Sequence, residues 1–242
     1  MRSYTAAMRA IILAAGRGER LRPLTDHCPK PLIEVAGKPL LVWHIEALAR
    51  AGVRDIVINT AWLEAQFQER LGDGSAFGVR LHYSHEQQRY GQALETAGGI
   101  ATALPLLCGD GDDCFWAISG DIHCPDFVFE PALAQRFASG TQLAHLWMVP
   151  TQPAHPKGDF SIDEQGRAGQ GDARPHHVYA NIGLYRAGFF DAVPPGTRLP
   201  MRPCLDAAIA AGRVDAELYL GRWVNVGSVE QLSQAQALHS AG

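Results

Sequence analysis

Ala10-Ile11-Ile12-Leu13-Ala14, followed at once by Ala15-Gly16-Arg17-Gly18-Glu19-Arg20, is an apolar run that opens into a glycine-bearing polar loop. A continuous apolar run of this length suits a strand covered on both faces, as in a parallel sheet. Gly16 and Gly18 let the backbone turn tightly and present N–H groups to an anion. Arg20 and Arg22 add positive charge on long side chains, so the ligand implied is a polyphosphate. Two familiar phosphate loops are excluded. A dinucleotide-binding turn needs a third glycine where this chain has Leu21, and it enters a helix directly, whereas here polar loop runs from Ala15 to Gly37. A Walker loop needs Lys and then Ser or Thr after its last glycine, and the chain has no such sequence.

Beyond the loop, helices and strands alternate. Pro39 and Gly52 bracket a helix over Leu40 to Ala51. Asp55 to Asn59 reads as the second strand, Trp62 to Leu71 as a helix, and Val79 to Tyr83 as the third strand. Thr96 to Leu107 is helical in pattern, and the strand Cys114 to Ile118 runs into Ser119-Gly120-Asp121. The later chain is less regular. Gln142 to Val149 and Tyr179 to Tyr185 read as strands on either side of a polar stretch, Lys157 to Arg174. Leu205 to Ala211 reads as a short helix, Trp223 to Val226 as a strand end, and Ser228 with Gln231 as a capping box for the last helix. The alternation predicts an α/β fold: a Rossmann-like, mostly parallel mixed sheet flanked by helices.

Composition narrows the function classes. With 242 residues, 47% of them hydrophobic, the chain can bury a sizeable core in one large domain. A net charge of −4 with no basic run argues against nucleic acid as a partner. No apolar stretch approaches the roughly 18 residues of a membrane span, and the N-terminus lacks the apolar core of a signal peptide, so the expected location is cytoplasmic. The five cysteines (Cys28, Cys108, Cys114, Cys124 and Cys204) lack C-x-x-C spacing and are expected as free thiols. Trp43, Trp62, Trp116 and Trp147 are expected in the core, His123 in a loop, and His176-His177 away from any metal.

Leu13 to Thr25, followed by Pro29-Lys30-Pro31, resembles the double signature of the sugar-1-phosphate nucleotidyltransferases. Leu94-Glu95-Thr96-Ala97-Gly98-Gly99 resembles that family's base-binding loop, Ser119-Gly120-Asp121 its metal-aspartate turn, Asn181-Ile182-Gly183 its sugar-binding strand, and Trp223 to Ser228 its second metal motif. The resemblance extends from Met8 to Leu238. It implies residues 1–7 as a flexible extension and 8–242 as one nucleotidyltransferase domain, with a nucleotide half over about 8–125 and a sugar-phosphate half over about 126–242.

The implied reaction is attack by a sugar 1-phosphate on the α-phosphorus of a nucleoside triphosphate, with release of pyrophosphate. Both reactants are anions, so positioned cations and in-line geometry supply most of the catalysis. The resemblance assigns catalysis to Arg20, on the departing phosphates, and to Lys30, at the transferring phosphate. It assigns nucleotide binding to Leu13, Ala14, Ala15, Gly16, Arg17 and Gly18, with base contacts from Gln92, Thr96, Gly98 and Gly99. Acceptor contacts fall to Gly158, Asp159 and Asn181. The implied cofactor is Mg²⁺, held by Asp121 and Asn225. Many family members have aspartate where this chain has Asn225, and an amide oxygen ligates without adding negative charge.

Among subfamilies, the chain looks most like the N-acetylmuramate α-1-phosphate uridylyltransferases of cell-wall recycling, which implies UTP as donor. Ala97 departs from the three successive glycines often found in the base loop. A lactyl carboxylate on the acceptor would call for a cation from Lys157, Arg174 or Arg202. The rival readings are a mannose-1-phosphate guanylyltransferase and, in another class, a catalytically silent sugar-nucleotide-binding protein. A monomer or a small homo-oligomer is expected.

Overall fold

The computed structural model describes residues 8–109, 113–171 and 174–239. The extension expected over residues 1–7 lies outside them. In the first half, β1 (Arg9–Leu13) leads through the short helix α1 (Leu24–His27) and the small ribbon β2 (Glu34–Val35) and β3 (Lys38–Pro39) into α2 (Leu40–Arg50). Then come β4 (Asp55–Thr60), α3 (Ala65–Leu71), β5 (Arg80–His85), α4 (Glu86–Tyr90), α5 (Glu95–Leu107), β6 (Cys114–Ser119) and β7 (Ile122–His123). The second half adds α6 (Pro131–Ser139), β8 (Ala144–Val149), β9 (Phe160–Ile162), β10 (Ala168–Gly169) and β11 (His176–Arg186). It ends with α7 (Met201–Ala210), β12 (Val214–Leu218), β13 (Val224–Asn225) and α8 (Val229–Ala237).

The sheet is mostly parallel where the site forms. β5, β4, β1 and β6 lie side by side and all run parallel, while β11 joins β6 antiparallel. The chain moves outward from β1 to β4 and β5, then crosses back through α5 to lay β6 on the other side of β1. That reversal is the topological switch point at which open α/β sheets bind ligands, beyond the carboxyl ends of the strands. Ala10, Ile11 and Ile12 are fully buried because the sheet is covered on both faces. One face packs Leu41, Ile45 and Leu48 of α2 against Ile12, Ile56 and Ile58. The other packs Ile100 and Ala103 of α5, with Leu205 of α7, against Ile11, Val57 and Phe115.

Several expectations shift for physical reasons. The helix expected from Trp62 starts at Ala65, because Leu63 takes φ +51, which ends any helical run through it. The helix expected from Leu205 starts at Met201, with Pro200 at its N-cap and Pro203 in the first turn, where a missing N–H costs nothing. The polar stretch from Lys157 holds two short strands, β9 and β10, and neither α6 nor β12 is apparent from periodicity. His123 is fully buried on β7 rather than in a loop. Trp116 and Trp147 are core residues as expected, whereas Trp43 and Trp62 are half-buried. The capping box forms with a change of partner: Ser228 Oγ accepts the Gln231 N–H at 3.3 Å, while Gln231 Oε1 accepts the Gly227 N–H at 2.9 Å. None of the five cysteines is joined in a disulfide. Among the described residues no helix is long and apolar enough to cross a membrane.

Candidate active site

Two cavities meet above the carboxyl ends of β1 and β6. One, of about 820 Å³, is lined by Leu13 to Arg20, Lys30, Asp121, Gln92 and Thr96, among others. The second, of about 470 Å³, lies toward β11 and α7 and is lined by residues that include Asp159, Asn181, Arg202 and Asn225. Leu13, Arg20, Thr96 and Ser119 line both. A donor and an acceptor bound in the two cavities would meet beside those four residues.

The phosphate loop is held from three sides. Ala14 N–H donates to Asn59 Oδ1 at 2.9 Å, which ties the loop to the end of β4. Gly18 takes φ +69, and a Cβ there would lie 3.0 Å from Lys30 Cβ and from Thr25 Cγ2. The missing side chain therefore lets the loop rest directly on Lys30, and Thr25 Oγ1 donates to Gly18 O at 2.9 Å. The Arg17 guanidinium lies 4.4 Å above the Trp62 ring, whose Nε1 donates to Thr25 O at 2.8 Å. Trp62 thus walls the first cavity instead of filling the core.

Lys30 and Asp121 form an ion pair in the wall of the first cavity, and Ser119 Oγ donates to Asp121 Oδ1 at 2.6 Å. Burial alone would raise the Asp121 carboxyl, but the Lys30 ammonium and the Ser119 hydroxyl outweigh it and hold the group below the usual range. β13 pairs antiparallel with β7 so that Asn225 stands opposite Ile122, and Val226 N–H donates to Asp121 O at 2.8 Å. Asn225 Oδ1 is buried with no hydrogen-bond partner. A buried amide oxygen left unpaired is costly unless something binds it. With the Asp121 carboxylate, in the turn just before β7, it makes a hard-oxygen pair that fits Mg²⁺, an ion that keeps most of its waters. Among the described residues no group of three or more His, Cys, Asp or Glu side chains is placed to hold a metal.

On the base side, Gln92 and Thr96 line the first cavity, as does Arg198, which pairs with Glu95 at 2.8 Å. Gly98 and Gly99 do not. Both are buried within α5: a Cβ on Gly98 would sit 1.9 Å from Thr197 O, and one on Gly99 would sit 2.5 Å from Glu86 Oε1. Close approach of the neighbouring segments therefore requires glycine at both positions. Ala97 and Gly98 N–H both donate to Leu199 O, at 3.0 and 3.1 Å, and Leu199 N–H donates to Leu94 O at 3.0 Å.

On the acceptor side, Asn181 takes φ +59 at a register shift in β11 between Tyr179 and Gly183. A non-glycine residue in that region is strained, and asparagine tolerates it better than most. Asp159 Oδ2 accepts the Tyr179 N–H at 2.9 Å. Gly158 lines a separate, shallow cleft with Lys157, Arg174 and His176 rather than the acceptor cavity. Arg202 reaches both. Sequence reasoning missed Arg198, Tyr179 and the site role of Trp62. The position of Trp62 just after the β4 strand end was the one available signal.

Comparison with known proteins gives the same assignment. A family model described as "Nucleotidyl transferase" matches residues 9–241. A Neisseria meningitidis N-acetylmuramate alpha-1-phosphate uridylyltransferase is 44% identical over 97% of this chain and 99% of its own length. A Danio rerio mannose-1-phosphate guanylyltransferase catalytic subunit beta is 39% identical over 52% of this chain, which spans 34% of that protein. In fold, the chain resembles a Bacillus anthracis protein described as a glucose-1-phosphate thymidylyltransferase, with a TM-score of 0.81 at 23% identity over 98% of this chain and 96% of that one. The phosphate loop at the switch point and the paired cavities are thus those of a nucleotidyltransferase, and the chain belongs to the nucleotidyl transferase family as a sugar-1-phosphate nucleotidyltransferase.

Proposed function

We propose that this chain transfers a uridylyl group from UTP to N-acetylmuramate α-1-phosphate, releasing pyrophosphate, with Mg²⁺ held by Asp121 and Asn225. The observation that carries the acceptor assignment is Arg202. Of the three cations expected near a lactyl carboxylate, it alone lines the acceptor cavity. Its Nε pairs with Asp206 at 2.7 Å and its guanidinium lies 4.7 Å over the Phe160 ring, which orients a planar fork suited to a carboxylate. Similarity to the Neisseria uridylyltransferase over nearly the whole chain supports both substrates.

In this reading the backbone N–H groups of Gly16 to Gly18, with Arg17 and Arg20, hold the β- and γ-phosphates. Lys30 steers an acceptor phosphate oxygen toward the α-phosphorus. As that P–O bond forms, the bond from the α-phosphorus to the bridging oxygen breaks, and Arg20 meets the charge developing on pyrophosphate. The metal, when bound, supplies further charge neutralisation at the transferring phosphate. Gln92 and Thr96 orient the base, and Asp159 and Asn181 the sugar. Dependence on cellular nucleoside triphosphate supports a cytoplasmic location for the reaction.

The test crosses UTP, GTP, dTTP, CTP and ATP with N-acetylmuramate, N-acetylglucosamine, mannose and glucose 1-phosphates, reading pyrophosphate release with and without Mg²⁺. Release should be greatest with UTP and N-acetylmuramate 1-phosphate and should vanish on chelation. Preference for GTP and mannose 1-phosphate would overturn the substrate assignment, and silence across the panel would overturn the catalytic reading.

A further inference from the structure

Two tyrosines on β11 meet at the acceptor cavity. Tyr179 and Tyr185 both line it, and their hydroxyl oxygens lie 2.8 Å apart. Gly183 makes room for the meeting: a Cβ there would come within 2.8 Å of the Tyr185 ring and 3.2 Å of Tyr179 Oη. Tyr185 is fully buried among Phe115, Phe189 and Phe190, and its hydroxyl bonds to Tyr179 Oη. Tyr179 is only half-buried.

Proton counting then fixes the direction. Two phenols share one hydrogen bond and leave one O–H over. A buried donor without an acceptor costs more than an unused lone pair, so the fully buried Tyr185 donates to Tyr179. The O–H left over belongs to Tyr179, the half-buried partner, which lines the cavity and can direct it there. Burial pushes both phenols up, so both stay protonated at working pH.

The chemistry that this O–H takes follows from its surroundings. Phe160, Met201 and Leu205 line the same cavity and belong, with Tyr185, to the apolar cluster on which Tyr179 packs. An anionic group is better served by Arg202, which lies over Phe160. A ring hydroxyl finds its acceptors on the polar side of the cavity, at Asp159 and Asn181, and gains nothing from the apolar wall around Tyr179. An acetamido group brings a carbonyl acceptor together with a methyl group that such a wall covers. We infer that Tyr179 is the donor that selects an acylamino substituent on the acceptor sugar by bonding its carbonyl oxygen. This rests on the proposed function only in placing a sugar 1-phosphate in the cavity beside Asn181.

The experiment measures N-acetylglucosamine 1-phosphate and glucose 1-phosphate as competitors of whichever acceptor the full-length protein turns over, so neither needs to react. They differ by an acetamido against a hydroxyl group. In the unsubstituted protein the acetamido sugar should compete at least about tenfold more tightly. Tyr179→Phe should collapse that ratio toward one while leaving the KM for the nucleotide unchanged. Tyr185→Phe, which leaves the Tyr179 O–H in place, should keep most of the ratio. A ratio near one in the unsubstituted protein overturns the inference, even if Tyr179→Phe does not fold. So does equal weakening of both sugars by Tyr179→Phe, or loss of the ratio in Tyr185→Phe alone. Absence of turnover with every acceptor would instead overturn the proposed function.

Discussion

The Asn59 amide donates to Glu86 Oε1 across 2.7 Å in the interior of the protein, where both side chains are essentially without solvent exposure. Glu86 Oε2 accepts the Leu94 N–H at 2.7 Å, and Asn59 Oδ1 accepts from Ala14. A single chain of hydrogen bonds therefore links the phosphate loop to the start of the base wall.

Glu86→Gln should break that chain, because its amide nitrogen would face one of two donors. A buried donor left unpaired costs about 1–3 kcal/mol. Urea denaturation should show a loss of that size, and the KM for the nucleotide should rise while acceptor KM stays level. Unchanged stability would mean that the amide finds another partner.

Lys30→Ala should lower turnover by at least about tenfold, since it removes the positioned cation at the transferring phosphate. It also leaves Asp121 without its ammonium partner, so Mg²⁺ should bind no more weakly. Single-turnover rates at saturating substrates separate the two effects, and a rate equal to that of the unsubstituted protein would remove Lys30 from the mechanism.

Asn225→Asp should tighten Mg²⁺, because a carboxylate adds charge at a position whose oxygen is already buried and unpartnered. Activity titrated against Mg²⁺ should reach half-maximum at a concentration lower by about tenfold. Identical titration curves would place Asn225 outside the metal's coordination.

His44 sets a pH limit on stability. Its Nε2 donates to Ile122 O at 2.9 Å, and burial pulls its pKa down from 6.5 to about 4. The unfolded chain therefore binds a proton that the folded chain refuses between those values. The resulting stability is complete above pH 6.5 and is lost as pH falls toward 4, by about 3 kcal/mol for a shift of this size. Denaturation midpoints at pH 7 and pH 4.5 should differ less in His44→Leu than in the unsubstituted protein. Equal pH dependence would assign the loss to other groups.

Much of the fold is legible in the sequence because its inner strands are apolar along most of their length. Ala10 to Leu13, Asp55 to Asn59 and Cys114 to Ile118 stand out against the polar segments, many of them bearing glycine or proline, that flank them. The phosphate loop is legible for the same reason: Gly16, Gly18, Arg20 and Lys30 have no role in a core. The acceptor side is harder. β9 and β10 are only a few residues long, and β11 changes register at Asn181, so period-two alternation fails where it is most needed. Gly98 and Gly99 show a different limit. A glycine admits either a ligand or a neighbouring segment, and only the positions of Thr197 and Glu86 show that packing requires it at these two. Trp62 is ambiguous likewise, since an aromatic ring suits a core and a site wall equally well.

The bonds from Ala97 and Gly98 to Leu199, and back from Leu199 to Leu94, join residues on either side of position 125. Leu199 stands two residues before α7, which carries Met201, Arg202 and Leu205 into the acceptor cavity. The two halves of the chain are therefore not interchangeable cassettes. A chimera that grafts a relative's acceptor half onto this nucleotide half inherits a new segment against Gly98, where a Cβ already has no room. Changing sugar preference by recombination thus requires exchanging 94–99 together with 197–199, so that the seam moves as one unit.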